Sequence, residues 1–238
     1  MKVRFSLLAL CVALSLVGRA QAGSITLSTT VRDFTPETNP DFERAIGDDR
    51  GIVANTLGVD NKPVYAGGSH PTITSATTFD QFYHDAPGVN IAITKPMVLN
   101  ETSPGSGIYQ YSSNDYFPID GEGFGNYLSS GHNFHFTTEI HTLFTYAAGQ
   151  NFAFTGDDDV WVFINKQLVI DLGGVHGPEG ASVNLDTLGL TAGSDYQLDV
   201  FQAERHTSGS NFTMTTSILL RTAAVPEPAT IASAGLGI

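Results

Sequence analysis

Three consecutive aspartates, Asp157, Asp158 and Asp159, follow Gly156 and stand between two apolar runs. Carboxylates about 5 Å apart repel one another by roughly 1 kcal/mol per pair in water, and by several times that amount when half buried. A bound Ca²⁺ would offset this repulsion, because calcium takes carboxylate and carbonyl oxygens as ligands. The alternative is a solvated acidic turn at the end of a hairpin. Neither EF-hand spacing nor a Gly/Asp nonapeptide repeat is present, so a calcium site here would be of another kind.

A second segment with ligand-forming groups runs from Glu204 to Asn211 and follows a run typical of a strand. Its second half contains only small and polar residues, so it is predicted to be a loop that offers hydroxyl, amide and backbone oxygens. The residues alone favour neither a binding loop nor a flexible surface loop. The Gly-rich turn between Asp171 and His176 is open to the same two interpretations.

The sequence gives little support to catalysis. It contains no G-x-S-x-G segment, and no phosphate-binding Gly-rich loop precedes a predicted helix. The carboxylates are too numerous for any one glycosidase pair to stand out. The formal net charge of −13 disfavours nucleic acids and anionic membranes as partners and favours divalent cations. We therefore predict a binding protein rather than an enzyme.

The strongest β pattern lies between His132 and Tyr146. Its even-numbered positions are mainly apolar and its odd-numbered positions polar, which predicts a half-buried strand. His135 and Glu139 share the polar face but lie about 13 Å apart on an extended strand, so a shared zinc ion is disfavoured. The apolar residues predicted to point inward are Phe134, Phe136, Ile140, Phe144 and Tyr146.

The composition indicates an all-β fold, a two-sheet antiparallel β-sandwich with long loops and at most short helices. The 25 Gly and 11 Pro residues interrupt nearly every stretch long enough for a helix. Short runs rich in Thr, Phe and Tyr favour strands. Hydrophobic spacing predicts one short helix over residues 77–85. A hairpin is expected to turn at residues 165–167, and Pro96 is expected to break the strand around it.

The first 22 residues have the features of a secretory signal peptide. Two basic residues precede an apolar run, and Ala20-Gln21-Ala22 supplies a cleavage site. The only cysteine, Cys11, lies in this segment, so the secreted chain is predicted to have no disulfide. We expect residues 23–221 to form one domain and residues 222–238 to form a tail. From about Val225 this tail should be extended and unpacked, because Pro226 and Pro228 cannot donate to a β ladder.

Several long strings of the sequence resemble the fibro-slime domain of bacteria, which is related to the protective-antigen-type β-sandwich of cell-surface adhesins. The resemblance covers about residues 31–221 and rests on strings in one order: FPIDGEGFGN, HNFHFTTEIHTLFTY, FTGDDDVWVFINKQLVIDLGGVH and LDTLGLTAGSDYQLDVFQAERHTSGSNFTMTTSI.

In the adhesin members, two consecutive aspartates joined by a cis peptide hold a Ca²⁺ that binds sugar hydroxyls, and a second loop completes the site. The resemblance therefore implies metal ligands at Asp157, Asp158 and Asn211. It also implies ligand-binding positions at Asp159, His206, Ser208 and Ser210.

The final segment, VPEPATIASAGLGI, resembles a PEP-CTERM sorting signal, which directs proteins of exopolysaccharide-producing Gram-negative bacteria to a membrane sortase. The longer apolar helix and the closing Arg cluster of such signals are not present. The resemblances together imply a secreted or cell-surface, calcium-dependent carbohydrate-binding or adhesion module. It would be associated with exopolysaccharide or a biofilm matrix, and its partners would be an extracellular polysaccharide or a cell-surface glycan. The alternatives are a structural matrix protein with a purely structural calcium site and, less favoured, a glycosidase.

Overall fold

The computed structural model of the protein describes residues 22–127 and 130–222. Within these ranges the chain forms thirteen strands, one α-helix and one 3-10 helix. None of the described helices is long and apolar enough to cross a membrane. Apart from Ala22 and Thr222, the predicted signal peptide and tail lie outside the described residues. The helices are α1 (Ala76–Asp80) and the 3-10 helix Leu185–Leu188, and the strands are β1 (Ser24–Asp33), β2 (Gly47–Asp48), β3 (Ile91–Glu101), β4 (Tyr109–Ser113), β5 (Phe136–Thr145), β6 (Asn151–Gly156), β7 (Asp159–Ile164), β8 (Gln167–Leu172), β9 (Gly174–Val175), β10 (Glu179–Asn184), β11 (Asp195–Glu204), β12 (Phe212–Thr216) and β13 (Arg221–Thr222).

Eleven of these strands form one antiparallel sheet that folds back on itself into two layers. One layer has the strand order β3-β1-β5-β11-β7-β8 and the other has the order β10-β6-β12-β4, while β13 pairs with β5. The layers are joined where the last two residues of β3 pair with Gln110 and Tyr109 of β4. At the opposite side, β8 and β10 lie next to each other. Side chains from both layers form one apolar core. The predicted all-β, antiparallel, two-layer fold is confirmed.

The inward-facing residues of β5 form the middle of this core. Phe136, Ile140, Phe144 and Tyr146 pack between the layers, and Phe134 just before the strand is also buried. Burying a large side chain of this kind contributes about 1.5–3 kcal/mol relative to leaving it exposed. The predicted inward orientation is therefore confirmed for Phe136, Ile140, Phe144 and Tyr146.

Residues 34–90 cover the outer face of β5, β11 and β7 and form a second core there. In this core Phe79 and Phe82 pack in one cluster with Trp161. The prediction that β5 is only half buried was wrong, because this covering segment also buries its polar face. The polar groups find partners inside the protein; for example, Thr137 Oγ1 donates to the carbonyl oxygen of Phe82 at 2.6 Å.

The helix and the strand around Pro96 differ from the expected boundaries. Helix α1 ends at Asp80, and Phe82 and Tyr83 lie in the turns that follow it, although both are buried. Strand β3 continues through Pro96, which pairs in register with Ser28 of β1. Among the described residues, β4 reaches only the last two residues of β3. Pro96 therefore lies at a sheet edge, where proline is tolerated.

A buried network of charges attaches the covering segment to β5. Glu139 is bonded to Arg32 Nη1 at 2.5 Å, to Lys62 and to His141 Nε2 at 2.5 Å. Burial would raise the pKa of Glu139, but the His141 hydrogen bond and the charges of Lys62 and Arg32 lower it to about 2. Burial would lower the pKa of His141, but its hydrogen bonds to Asp199 and Glu139 raise it to about 9. Glu139 thus links Lys62 of the covering segment to β1 and β5, and His141 links β5 to β11.

Replacing His141 with glutamine should destabilise the fold by about 1–3 kcal/mol, because hydrogen bonds to buried carboxylates are lost. It should also flatten the pH dependence of stability. The folded protein keeps the His141 proton up to a pKa of about 9, whereas an unfolded chain releases it near pH ~6.5. The stabilisation is therefore complete below about pH 6.5 and is lost as the pH rises towards 9. Urea unfolding at several pH values measures the free energy of unfolding of both proteins. If the free energy of the variant falls with pH above about pH 7 as steeply as that of the unmodified protein, the raised pKa of His141 is not the cause of the pH dependence.

Candidate functional site

Asp157 and Asp158 carry the chain from β6 in one layer to β7 in the other. The peptide bond between them is cis, as the resemblance to the adhesin module implies. The preceding residue has to be small, because a Cβ at Gly156 would lie 2.4 Å from the carbonyl oxygen of Asn211. The glycine therefore lets the loop before β12 approach the aspartate pair closely.

Asp157 and Asn211 are joined by three hydrogen bonds. Asp157 Oδ1 accepts from the Asn211 backbone N–H at 2.6 Å, and Oδ2 accepts from Nδ2 at 2.8 Å. The Asp157 N–H donates in turn to the Asn211 carbonyl oxygen at 3.3 Å. The amide oxygen of Asn211 accepts no hydrogen bond from the residues that the structure describes. It is consequently available to a ligand or a cation.

Backbone N–H groups from two loops surround the carboxylate of Asp158. Its Oδ2 accepts from Arg205 at 2.9 Å and from His206 at 3.2 Å, and its Oδ1 accepts from His176 at 3.2 Å. Burial raises the pKa of Asp158 to about 7; the charge and N–H of Arg205 act against this rise, and the neighbouring aspartates add to it. The two candidate loops of the sequence, after Asp171 and after Glu204, therefore meet at this one carboxylate.

Two polar residues on β11, Gln202 and Glu204, also face this site; neither was among the predicted site residues, although Glu204 begins the candidate segment. Gln202 Nε2 donates to the Asp157 carbonyl oxygen at 2.9 Å. Within the described ranges, Gln202 Oε1 and Glu204 Oε2 are buried oxygens without a hydrogen-bond partner. Burial raises the pKa of Glu204 well above its usual value, and the charges of Asp158 and Asp157 add to this effect.

A sequence signal for these two residues exists. They continue the alternate face of β11 that begins with Leu198 and Val200, both of which lie in the inter-layer core. Polar residues at inward positions of a strand are uncommon unless they have partners, because burying them without hydrogen bonds is costly. The alternation of inward-facing residues along β11 could therefore have identified Gln202 and Glu204 from the sequence.

Asp159 lies behind the site, not at its surface. The side chain is fully buried, and Oδ1 accepts from Gly174 N–H at 2.7 Å and from Arg205 Nη2 at 2.9 Å. Arg205 Nε is 2.6 Å from Asp159 Oδ2, and its Nη1 donates to the Thr72 carbonyl oxygen at 2.7 Å. The ion pair ties the loop after β11 to β7, and the Nη1 hydrogen bond ties it to the covering segment.

The other predicted ligand-binding residues occupy three different positions. Ser208 is exposed and His206 is half-buried next to Asp158. Ser210 is fully buried, and its hydroxyl donates to the Tyr116 carbonyl oxygen at 2.7 Å. His206 and Ser208 therefore lie at the rim of the site, whereas Ser210 helps to hold the loop.

The donor set fits a hard cation such as Ca²⁺. Burial raises the pKa of Asp157, although the hydrogen bonds from Asn211 act against the rise, and Asp158 and Glu204 share the same environment. A cation would relieve the repulsion between the ionised carboxylates, and Glu204 Oε2, which has no hydrogen-bond partner among the described residues, could contact it. Among the described residues, no three His, Cys, Asp or Glu side chains form a ready-made metal centre. A calcium site would therefore combine carboxylates with the amide oxygen of Asn211.

The sequence model of the PA14 domain matches residues 104–227, which include β4 to β13, the aspartate pair and Asn211. The chain belongs to the PA14 domain family, whose members are commonly carbohydrate-binding or adhesion domains found outside the cell or at its surface. It is also similar to proteins psiQ, psiR and psiC of Dictyostelium discoideum. The identities are 43%, 44% and 42% over 83% of this chain, but over only 21%, 22% and 42% of these relatives. The chain thus spans about a fifth to two fifths of their length.

Two solved structures show a weaker likeness. The PA14 domain of the antifreeze protein MpAFP is 13% identical, with a TM-score of 0.33, over 85% of this chain and 93% of that one. The PA14 sugar-binding domain from an RTX adhesin is 12% identical, with a TM-score of 0.34, over 74% of this chain and 96% of that one.

Proposed function

We propose that this protein is a secreted or cell-surface module that binds carbohydrate in a calcium-dependent manner, with Asp157, Asp158 and Asn211 as the calcium ligands. The glycan would be an extracellular polysaccharide or a cell-surface glycan. Membership of the PA14 family supports glycan binding, and the oxygen-rich site supports the calcium requirement. The proposal assigns a binding role and no catalytic one.

One observation carries the proposal most directly. The chain places two consecutive buried carboxylates and a side-chain amide at the junction of the two layers, where a third acid, Glu204, has an oxygen without a hydrogen-bond partner among the described residues. Buried like charges are costly unless a counter-charge is present. A divalent cation supplies that counter-charge with the ligand type that these residues offer.

The residues around the calcium ligands would have distinct roles. A bound Ca²⁺ would supply coordination positions for sugar hydroxyls. Ser208 and His206 lie at the rim and would contact the sugar, while Asp159 and Ser210 hold the two loops in place from behind. The loop from Arg205 to Asn211 would therefore determine which sugar is accepted.

A structural matrix protein whose calcium only stiffens the fold is the second candidate. The burial of the Asp157 and Asp158 side chains favours it, because a deeply held ion would have few open positions for a sugar. The two candidates differ in one measurable respect. Calcium stabilises the protein in both, but glycan binding depends on calcium only in the first.

A glycan array probed with the protein, in Ca²⁺ and again in excess EDTA, tests the proposal. We expect binding to a defined set of neutral glycans in Ca²⁺ and a loss of at least about tenfold in apparent affinity in EDTA, because the ion contributes directly to the contact. Mg²⁺ serves as a control, since its smaller octahedral shell fits such flexible oxygen sites less well. Binding of equal strength in Ca²⁺ and EDTA would refute the proposal, and thermal stabilisation by Ca²⁺ without glycan binding would favour the matrix protein.

The predicted biological setting goes with this proposal. Secretion by the signal peptide, sorting of the tail by a membrane sortase, and a place in the exopolysaccharide or biofilm matrix of a Gram-negative bacterium are predictions from sequence segments that lie outside the described residues. Proteomics of the cell surface and of the culture medium would test them together.

A further inference from the structure

A cleft of about 440 Å³ is lined by residues from two loops. One loop follows β1 and the other precedes β5. The residues that matter for the argument are Phe34, Glu37, Phe124, Tyr127, Asn133 and His135. Such a volume is typical of pockets that hold small ligands.

The cleft has aromatic walls that are open to solvent. The side chains of Phe124 and Tyr127 are 44% and 40% exposed, whereas Phe34 is buried. The rings of Tyr127 and His135 meet edge to face, with centroids 5.1 Å apart. Exposed aromatic faces in a concave site are suited to the C–H face of a flat ligand, since they bury large apolar area with little loss of side-chain entropy.

Buried hydrogen bonds fix the positions of these walls. Asp33 is fully buried; its Oδ2 accepts from the Phe124 N–H at 2.5 Å, and its Oδ1 accepts from Asn133 Nδ2 at 2.9 Å. A Cβ at Gly123 would lie 2.1 Å from Asp33 Oδ2, so only glycine allows this contact. Phe124 and Asn133 are therefore held in place before any ligand binds, which lowers the cost of binding.

His135 offers one directed polar group to the cleft. Its Nε2 is 3.0 Å from Glu43 Oε1. A carboxylate can only accept, so Nε2 carries the proton and Nδ1 of the neutral ring is an acceptor. Burial lowers the pKa of His135, although Glu43 acts against this, so the neutral ring is favoured. No described residue donates to Nδ1, which leaves it for a hydroxyl of a ligand.

The charge at the rim selects the kind of ligand. Glu37 lines the cleft and is exposed, and its own backbone N–H and the Thr35 hydroxyl lower its pKa, so it is ionised. The chain as a whole carries a formal net charge of −13. Anionic sugars are therefore disfavoured, and a neutral ligand with an apolar face and hydroxyl groups fits best.

One carboxylate connects this cleft with the proposed calcium site. Glu43 Oε1 contacts His135, and Glu43 Oε2 is 3.2 Å from His206 Nδ1. The backbone N–H of His206 in turn donates to Asp158 Oδ2. Glu43 and His206 thus form a series of contacts between His135 in the cleft and Asp158.

We propose that this cleft is a second saccharide site, which binds an uncharged pyranose without calcium by stacking it on Tyr127 and Phe124 and accepting a hydroxyl hydrogen bond at His135. This inference extends the proposed glycan binding to a separate site. It is tested without calcium, so that either proposal can fail while the other stands.

The test is saturation-transfer and protein-observed NMR on the full chain in EDTA. The probes are the methyl pyranosides of glucose, galactose and mannose, each at up to ~50 mM because single sugars bind weakly. At least one should bind, and Tyr127→Ala and Phe124→Ala should each weaken it by about tenfold or more, as truncating a central contact does. Ile108→Ala is the matched control, because Ile108 is 40% exposed, like Tyr127, and lies outside the cleft.

Three results would overturn the inference. The first is that none of the three pyranosides binds, and the second is that binding is unchanged by both aromatic substitutions. The third is that tetramethylammonium binds more strongly than any pyranoside, which would make the cleft a cation site. Methyl glucuronide should bind more weakly than methyl glucoside. If pyranosides bind in EDTA while binding on the glycan array does not respond to Ca²⁺, the second site stands and the calcium proposal fails. If no pyranoside binds in EDTA while binding on the array requires Ca²⁺, only the calcium site stands.

Discussion

Replacing Asp158 with asparagine is expected to abolish the stabilisation of the protein by Ca²⁺ and its calcium-dependent glycan binding. At a Ca²⁺ concentration about 100 times the Kd, binding to the folded state alone contributes about 2.7 kcal/mol. For a domain of this size this corresponds to a rise in Tm of roughly 5–11 °C. The substitution keeps the size of the side chain but removes a charge that calcium requires. Asp157→Asn should have the same effect, because Asp157 orients Asn211 as well.

The control for this experiment is Asp195→Asn. Asp195 begins β11 and is largely exposed, while Glu204 at the other end of the same strand faces the site. The control therefore makes the same substitution at an exposed aspartate that is not one of the candidate ligands. Its Ca²⁺-dependent rise in Tm should match that of the unmodified protein. Calorimetry that shows equal Ca²⁺ affinity for the unmodified protein and Asp158→Asn would end the calcium hypothesis.

The parts of the site that could be predicted are those encoded in short stretches of sequence. The alternation from His132 to Tyr146 depends only on the period of a strand, and the turn at Asn165 and Lys166, both with left-handed φ, depends only on neighbouring residues. Asp157 and Asp158 were predicted as ligands because they are consecutive in the sequence, and Asn211 was predicted from the family resemblance. The structure brings these three residues together.

The parts that could not be predicted depend on contacts between distant segments. The burial of His135 and Glu139 arises from the covering segment of residues 34–90, and no pattern within β5 reports what packs on its polar face. The aromatic cleft likewise joins the loop after β1 to the loop before β5 through Asp33. A period of two distinguishes the faces of a strand, but it does not show which face meets solvent when a long loop can cover either.

The contact between Arg205 and Asp159 is the clearest example of such a distant constraint, and breaking it should have the largest effect on stability. Both side chains are fully buried, and they meet through Nε and Nη2 of the guanidinium. Arg205→Met leaves the carboxylate buried without its partner, so we expect a loss of about 3–5 kcal/mol. Urea unfolding with a constant m-value measures this loss. Arg221→Met is the control, because Arg221 pairs with exposed Asp195 at the surface and should contribute at most about 1 kcal/mol.

The double substitution Arg205→Met with Asp159→Asn separates the ion pair from the packing of the arginine. It removes both charges, so it should recover part of the stability that Arg205→Met loses, as replacement of a whole buried pair does elsewhere. Calcium affinity should remain low in both variants, since the Arg205 and His206 N–H groups that hold Asp158 lose their anchor to the covering segment. If Arg205→Met costs less than about 1 kcal/mol, the pair does not hold this loop in place. If it costs the expected amount but leaves Ca²⁺ affinity unchanged, the loop keeps its shape through its other contacts, which include the Asp157–Asn211 and Ser210–Tyr116 hydrogen bonds.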